Sequence, residues 1–132
     1  MDKLTRQPTA IENEIFIIDD VQENLHLLST FLRQEGYSVR CSTSGESALI
    51  AIQLARPDLI LLDIMMPNMD GFEVYRRLKA DSQTAKIPVI FLSALDIPIH
   101  LKQTLLADKF DYVTKPYRLE EMLNKVRAAV SK

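Results

Sequence analysis

Cysteine is nearly absent. Cys41 stands alone, which excludes an internal disulfide and any metal cluster built from cysteines. Membrane-length hydrophobic runs are missing too: apolar stretches such as Ile15 to Ile18 and Leu59 to Leu62 fall far short of the ~18 residues a bilayer-spanning helix needs. The opening, Met1 to Glu12, is polar and contains a proline, so it reads as neither a signal peptide nor an anchor. No charge of one sign dominates. Sixteen basic residues against eighteen acidic ones leave a formal charge of −2, a balance that advertises neither nucleic acid nor an anionic membrane as partner. Repeats and low-complexity tracts are lacking as well. What is present is an ordinary globular balance, 47% hydrophobic and 26% charged over 132 residues, enough for one core. The expectation is a single soluble, cytoplasmic domain over 13–132, preceded by a flexible tail at 1–12.

From residue 13 onward short apolar runs alternate with longer amphipathic stretches. The runs are Ile15 to Ile18, Tyr37 to Cys41, Leu59 to Leu62, Val89 to Leu92 and Asp111 to Thr114. Three are continuously hydrophobic, as strands covered on both faces must be. The mixed runs at 37–41 and 111–114 suit flanking positions. Between them, residues 22–35 place Leu27, Leu28, Phe31 and Leu32 at the spacing of one buried helical face, with Gly36 where a helix C-terminus favours glycine. Thr43 and Glu46 form a capping-box pattern for a helix over about 44–55 that Pro57 closes. Asp70-Gly71 opens a third helix running to about Lys79; a fourth falls near 97–107 and a fifth near 118–131. A β-α unit repeated five times, with no room for hairpins, predicts an α/β fold: a parallel five-stranded sheet with helices on both faces. In such sheets ligands bind beyond the carboxyl ends of the strands.

Four of the five strand ends carry conspicuous polar residues. Asp19-Asp20, Asp63, Ser93 and Lys115 each directly follow an apolar run and so converge on one rim. Any one of them is explained equally well as a helix cap. Three carboxylates on one edge are not. Two carboxylates ~5 Å apart repel by about 3 kcal/mol at an effective dielectric of ~20, so the cluster calls for a cation. All-oxygen ligation suits Mg²⁺ or Mn²⁺, and Mg²⁺ typically combines one or two carboxylates with waters and phosphate oxygens. A lysine point charge and a hydroxyl beside them complete the donor set of a phosphoryl-transfer site.

The segments Ile15 to Asp20, Leu61 to Gly71, Phe91 to Ala94 and Tyr112 to Pro116 together resemble the receiver domain of two-component response regulators, a likeness running from about Glu14 to Val130. The resemblance implies a flavodoxin-like, doubly wound (βα)5 fold with strand order 2-1-3-4-5. It implies that Asp63 accepts a phosphoryl group from the phosphohistidine of a sensor histidine kinase or phosphotransfer protein. Asp20, Asp63 and the Met65 backbone carbonyl would bind Mg²⁺, with Asp19 acting through its water shell. Lys115 would contact the phosphoryl group next to a cis Lys115–Pro116 bond. Ser93 would move toward the phosphoryl group and Tyr112 would follow inward, so the last two helices and the fifth strand become the output surface for a downstream protein or domain. In the family, the residues two after the acceptor and two after the hydroxyl orient attacking water. Here they are Met65 and Leu95, neither of which hydrogen-bonds, so slow self-dephosphorylation is expected.

Other residues carry weaker signals. The sequence Ala107-Asp108-Lys109-Phe110-Asp111 departs from the Gly-Ala pattern many receivers show there, and Phe110 is expected to be partly exposed, packing at the helix end or serving as a docking anchor. Pro98 is acceptable in a first helical turn. His26 and His100 lack metal-spaced partners and read as surface residues. Leu25 reads as edge packing or a kinase contact, Cys41 as a small buried hydrophobe, Met65-Met66 as packing beside the site, and Glu120-Glu121 as a solvated helix start suited to the dipole.

Three other functions compete. An aspartyl-phosphate phosphatase of the haloacid-dehalogenase type needs a second Asp two after the nucleophile, where this chain has Met65. A flavin- or nucleotide-binding module needs a Ser/Thr/Gly-rich loop after the first strand, where residues 19–24 offer acids. A degenerate receiver serving as a scaffold would not need all five site positions filled. The expectation is therefore a signalling switch, not an enzyme beyond its own phosphorylation chemistry. No DNA-binding helix pair is present. Whether the receiver is free-standing or part of a hybrid kinase or larger regulator, and whether it dimerises on phosphorylation, stays open.

Overall fold

The computed structural model describes residues 13–94, 96–107 and 110–131. The expected tail at 1–12, Leu95 and the Asp108-Lys109 pair lie outside the described residues. Elements alternate strictly: β1 (Glu14–Ile18), α1 (Gln22–Gln34), β2 (Ser38–Ser42), α2 (Gly45–Leu54), β3 (Leu59–Asp63), α3 (Gly71–Ala80), β4 (Val89–Ser93), α4 (Ile99–Ala107), β5 (Tyr112–Thr114) and α5 (Leu119–Val130). All four strand pairings are parallel, in the order β2-β1-β3-β4-β5. Strand bounds differ from the sequence expectation by a residue or so, and α4 opens two residues later, after Pro98, whose carbonyl accepts from the Leu101 and Lys102 amides.

Period-two alternation splits the central strands between two cores. Ile15, Ile17, Leu59, Leu61, Ile90 and Leu92 face α1 and α5, where Leu25, Leu28, Leu32, Met122 and Val126 close over them. Phe16, Ile18, Ile60, Leu62 and Phe91 face the other way, against Ala48 and Ile52 of α2, Phe72, Val74 and Leu78 of α3, and Leu105 of α4. This is why the runs in β1, β3 and β4 are continuously apolar: both faces of each strand are dry.

Three sequence readings are corrected. In α1 the buried face is Leu25, Leu28, Ser29 and Leu32, while Leu27 is 60% exposed; Leu25 is therefore core and no surface contact. The cap of α2 is Ser44 rather than Thr43, its hydroxyl accepting from the Ser47 amide at 3.2 Å. Both residues fit a cap, and only the point where the chain leaves β2 decides between them. Cys41 is exposed: it stands near the end of the edge strand β2 and lines an open groove with Ser29 and Arg33 of α1. Phe110 is partly exposed and packs at the end of α4, as expected, its amide donating to the Leu105 carbonyl. Its ring packs 4.9 to 5.9 Å from those of Phe72, Tyr75 and Phe91, joining the α4–β5 connection to α3 and β4.

Gly36 and Asp70 behave as their sequence contexts suggest. Gly36 (φ 100°) ends α1: its amide donates to the Arg33 carbonyl while that of Tyr37 reaches back to Leu32. The Asp70 carboxylate caps α3 by accepting from the Glu73 amide at 2.9 Å. No helix among the described residues is long and apolar enough to cross a membrane.

Candidate functional site

The carboxyl ends of β1, β3 and β5 bring the acids and the lysine together. Asp19, Asp20 and Asp63 each present an oxygen, all within 4.8 Å of one another. Asp19 and Asp63 are buried and Asp20 is the most open of the three. The Lys115 amine lies 3.2 Å from Asp19 Oδ2 and 3.5 Å from Asp63 Oδ1, bridging two of the acids. Asp19 is held in place further by the Val21 amide donating to Oδ1 at 2.9 Å and by the Asn24 side-chain amide at 3.4 Å from Oδ2. The Lys115–Pro116 bond is cis.

Burial pushes the Asp63 carboxyl up to about 7; the neighbouring Asp19 and Asp20 add to the rise and Lys115 opposes it. One ammonium against three carboxylates leaves the cluster short of positive charge. A compact set of carboxylate oxygens with that deficit fits a hard divalent cation, which favours oxygen ligands. The backbone around Asp63 is tightly held. The Gly71 amide donates to the Ile64 carbonyl at 2.8 Å, and a Cβ at Gly71 would stand 2.4 Å from the Asp63 carbonyl oxygen, so only glycine lets α3 start this close. Asn68 supplies the left-handed turn (φ 68°) in the same loop.

The other expected site residues sit around this cluster and not inside it. Ser93, at the end of β4, is buried, and its hydroxyl donates to the Ala94 carbonyl at 3.2 Å. With Tyr112, Lys102, Leu105, Leu106 and Thr114 it lines a cavity of about 190 Å³ between α4 and the ends of β4 and β5, which leaves room beside the Tyr112 ring. Met65 is exposed, whereas its neighbour Met66 is buried in the core, so only the second half of that pair packs. His26, His100, Glu120 and Glu121 are exposed.

Two residues of the site escaped the sequence reading. Asn24 contacts Asp19 from the first turn of α1. Tyr117 lines a groove of about 400 Å³ with Asn24, Leu27, Ala94, Lys115, Pro116 and Leu119. The available signal was its position: two residues beyond a strand-end lysine, a polar aromatic has to lie on the same rim.

The family model of the response regulator receiver domain matches residues 15–127. The chain belongs to that family. The receiver is 44% identical over 115 residues to the DNA-binding dual master transcriptional regulator RpaA of Synechocystis, covering 86% of this chain and 47% of that relative. It is 43% identical over 102 residues to the response regulator PleD of Caulobacter vibrioides, covering 77% of this chain and 22% of that relative. It thus spans half or less of the length of these curated relatives. Among solved structures, a response regulator from Chloroflexus aurantiacus superposes with a TM-score of 0.84 at 28% identity, covering 92% of this chain and all of that one. The chemotaxis response regulator CheY4 of Vibrio cholerae does so at 0.80 and 28%, covering 90% and 99%. The receiver therefore shares the flavodoxin-like five-stranded architecture of its family, and its rim of acids is a cluster that could hold a metal ion.

Proposed function

We propose that this receiver takes a phosphoryl group on Asp63 from the phosphohistidine of a sensor histidine kinase or phosphotransfer protein. The observation that carries the reading is the Lys115 amine bridging Asp19 and Asp63 beside Asp20: a buried acceptor oxygen, surplus carboxylates for a cation and a phosphate-seeking ammonium at one point. Asp20, Asp63 and the Met65 carbonyl hold Mg²⁺, with Asp19 acting through water; Mn²⁺ suits the same oxygens. Bound there, the ion neutralises charge on the transferring phosphoryl group. Asp63 supplies the attacking carboxylate oxygen. Lys115, already within 3.5 Å of that carboxylate, turns to the arriving phosphoryl oxygens. The exposed Leu27 side chain and the Pro116–Tyr117 turn border the approach and give the donor protein an apolar rest.

Phosphorylation adds about −1.5 to −2 of charge at the end of β3. Ser93 then exchanges its weak bond to the Ala94 carbonyl for a charged acceptor, and Tyr112 moves into the neighbouring cavity. The surface of α4, β5 and α5 changes in response and addresses an output protein or domain, or a second receiver. Met65 next to the acceptor, and Leu95 outside the described residues, offer no group to activate water, so the phosphoryl group leaves slowly unless a partner removes it. The reading places the chain in the cytoplasm as a switch that acts on proteins, without direct contact to nucleic acid or membrane.

Intact mass after incubation with acetyl phosphate and Mg²⁺ tests the proposal. One metal-dependent phosphoryl adduct is expected, absent in Asp63→Asn. A folded, metal-binding chain that gains nothing from acetyl phosphate or from any histidine donor would instead mark it as a scaffold.

A further inference from the structure

The groove beside the acids holds a polar group that the switching scheme does not use. Its wall carries three polar side chains. The Asn24 amide is committed to Asp19, and the Lys115 amine is shared between Asp19 and Asp63. The Tyr117 hydroxyl has no hydrogen-bond partner among the described residues, while its ring is packed against the α1–α5 core. Tyr117, with its uncommitted hydroxyl, is thus one wall of a space of about 400 Å³ that Lys115 also lines. Burial and the charges of Asp19 and Asp63 push the phenol up to about 12, so it remains a donor throughout the neutral range.

We propose that the Tyr117 hydroxyl sets the preference among small phosphodonors, by hydrogen-bonding the leaving oxygen of a carboxylic–phosphoric anhydride while the phosphoryl group passes to Asp63. This rests on Asp63 being the acceptor. In the step, an Asp63 carboxylate oxygen forms the new bond to phosphorus and the anhydride P–O bond breaks. The bonding pair stays on the acyl oxygen, which departs as carboxylate, and Tyr117 keeps its proton. Negative charge grows on the leaving oxygen in the transition state, and a pre-placed donor there lowers the barrier. A phosphoramidate behaves differently. Its P–N bonding pair neutralises an ammonium-type nitrogen that leaves as ammonia, so no anion forms for the phenol to stabilise. The groove's remaining lining, Leu27, Ala94, Pro116 and Leu119, suits a short acyl chain.

The test compares the whole chain with Tyr117→Phe, a change that removes only the oxygen, in initial rates of phosphoryl uptake from acetyl phosphate and from phosphoramidate in Mg²⁺. The expected result is a loss of about tenfold with acetyl phosphate and a change below about twofold with phosphoramidate. Retained phosphoramidate activity also shows that the variant's site is folded. Equal losses with both donors would assign Tyr117 a packing role and overturn the proposal, as would an acetyl phosphate rate within about twofold of the parent. If the parent chain itself takes no Asp63-dependent phosphoryl group from either donor, the acceptor reading fails and the Tyr117 proposal fails with it, an outcome visible without the variant.

Discussion

The two ends of the sheet treat charge in opposite ways. Toward the amino ends of the strands each acid has its own partner: the Glu14 amide donates to Asp58 Oδ2 at 2.7 Å, and Arg40 meets the Glu14 carboxylate through two nitrogens at 3.0 and 3.2 Å. Arg40 also donates to the Ala55 carbonyl and lies 4.9 Å over the Phe16 ring, tying β2, β1 and the end of α2 together. At the carboxyl ends, three acids share one lysine. Matched charge closes a structure. Unmatched charge on one rim leaves a deficit that a divalent cation would fill; burial first, and then the neighbouring Asp19 and Asp20, raise the Asp63 carboxyl to about 7.

Breaking the acidic end chemically gives the largest effect. Asp63→Asn should reduce phosphoryl incorporation, followed by intact mass, by at least about a thousandfold, since the nucleophile itself is gone. Next comes the cation. Mg²⁺ at a hundred times its Kd should stabilise the parent by about 2.7 kcal/mol in denaturant melts, and much less in Asp20→Ala. The third effect concerns protons. Folded Asp63 holds its proton to about pH 7, against 3.8 for a free carboxyl. Between those values the folded state binds more protons than the unfolded chain, so metal-free stability should fall as pH rises from about 4 to about 7. Asp63→Asn should flatten that fall and melt several degrees higher than the parent at pH 7.5 without divalent metal, about 4 °C per kcal/mol removed. At the matched end, Arg40→Ala should cost only about 1 kcal/mol in a urea titration and leave phosphoryl uptake unchanged. A large loss of uptake in that variant would contradict the division of labour between the two ends.

The sequence carried the parallel sheet and its acidic rim because both are written in short-range patterns: unbroken apolar runs for strands dry on both faces, and a polar residue at the end of each. What it hid depends on where neighbouring elements lie. Leu25 lies three and seven residues before Leu28 and Leu32, and Leu27 four before Phe31, and only the seating of α1 on the sheet decides that the first face is buried and Leu27 left in solvent. Thr43 and Ser44 are equivalent caps until β2 ends at Ser42 and turns the chain. Cys41 reads as a small buried hydrophobe because free cysteines usually are, and its exposure follows from its place on the edge strand. Phe110 gave no local sign of its ring partners, which come from α3 and β4, nearly twenty or more residues away. Of the site, the four charged residues were legible from strand ends, whereas Asn24 reaches Asp19 from the first turn of α1 and Tyr117 lines the neighbouring groove from beyond β5, positions that no strand-end pattern marks.

Gly71 gives this receiver a point where it can be silenced without touching its electrostatics. The helix behind the loop that follows Asp63 begins with no side chain because the Asp63 and Ile64 backbone occupies that volume. One added methyl group would act as a wedge, prising β3 from the helix that braces it. All three acids and the lysine would still be present, but out of register with one another. Such a variant would separate two properties that charge substitutions always change together, the composition of the site and its alignment.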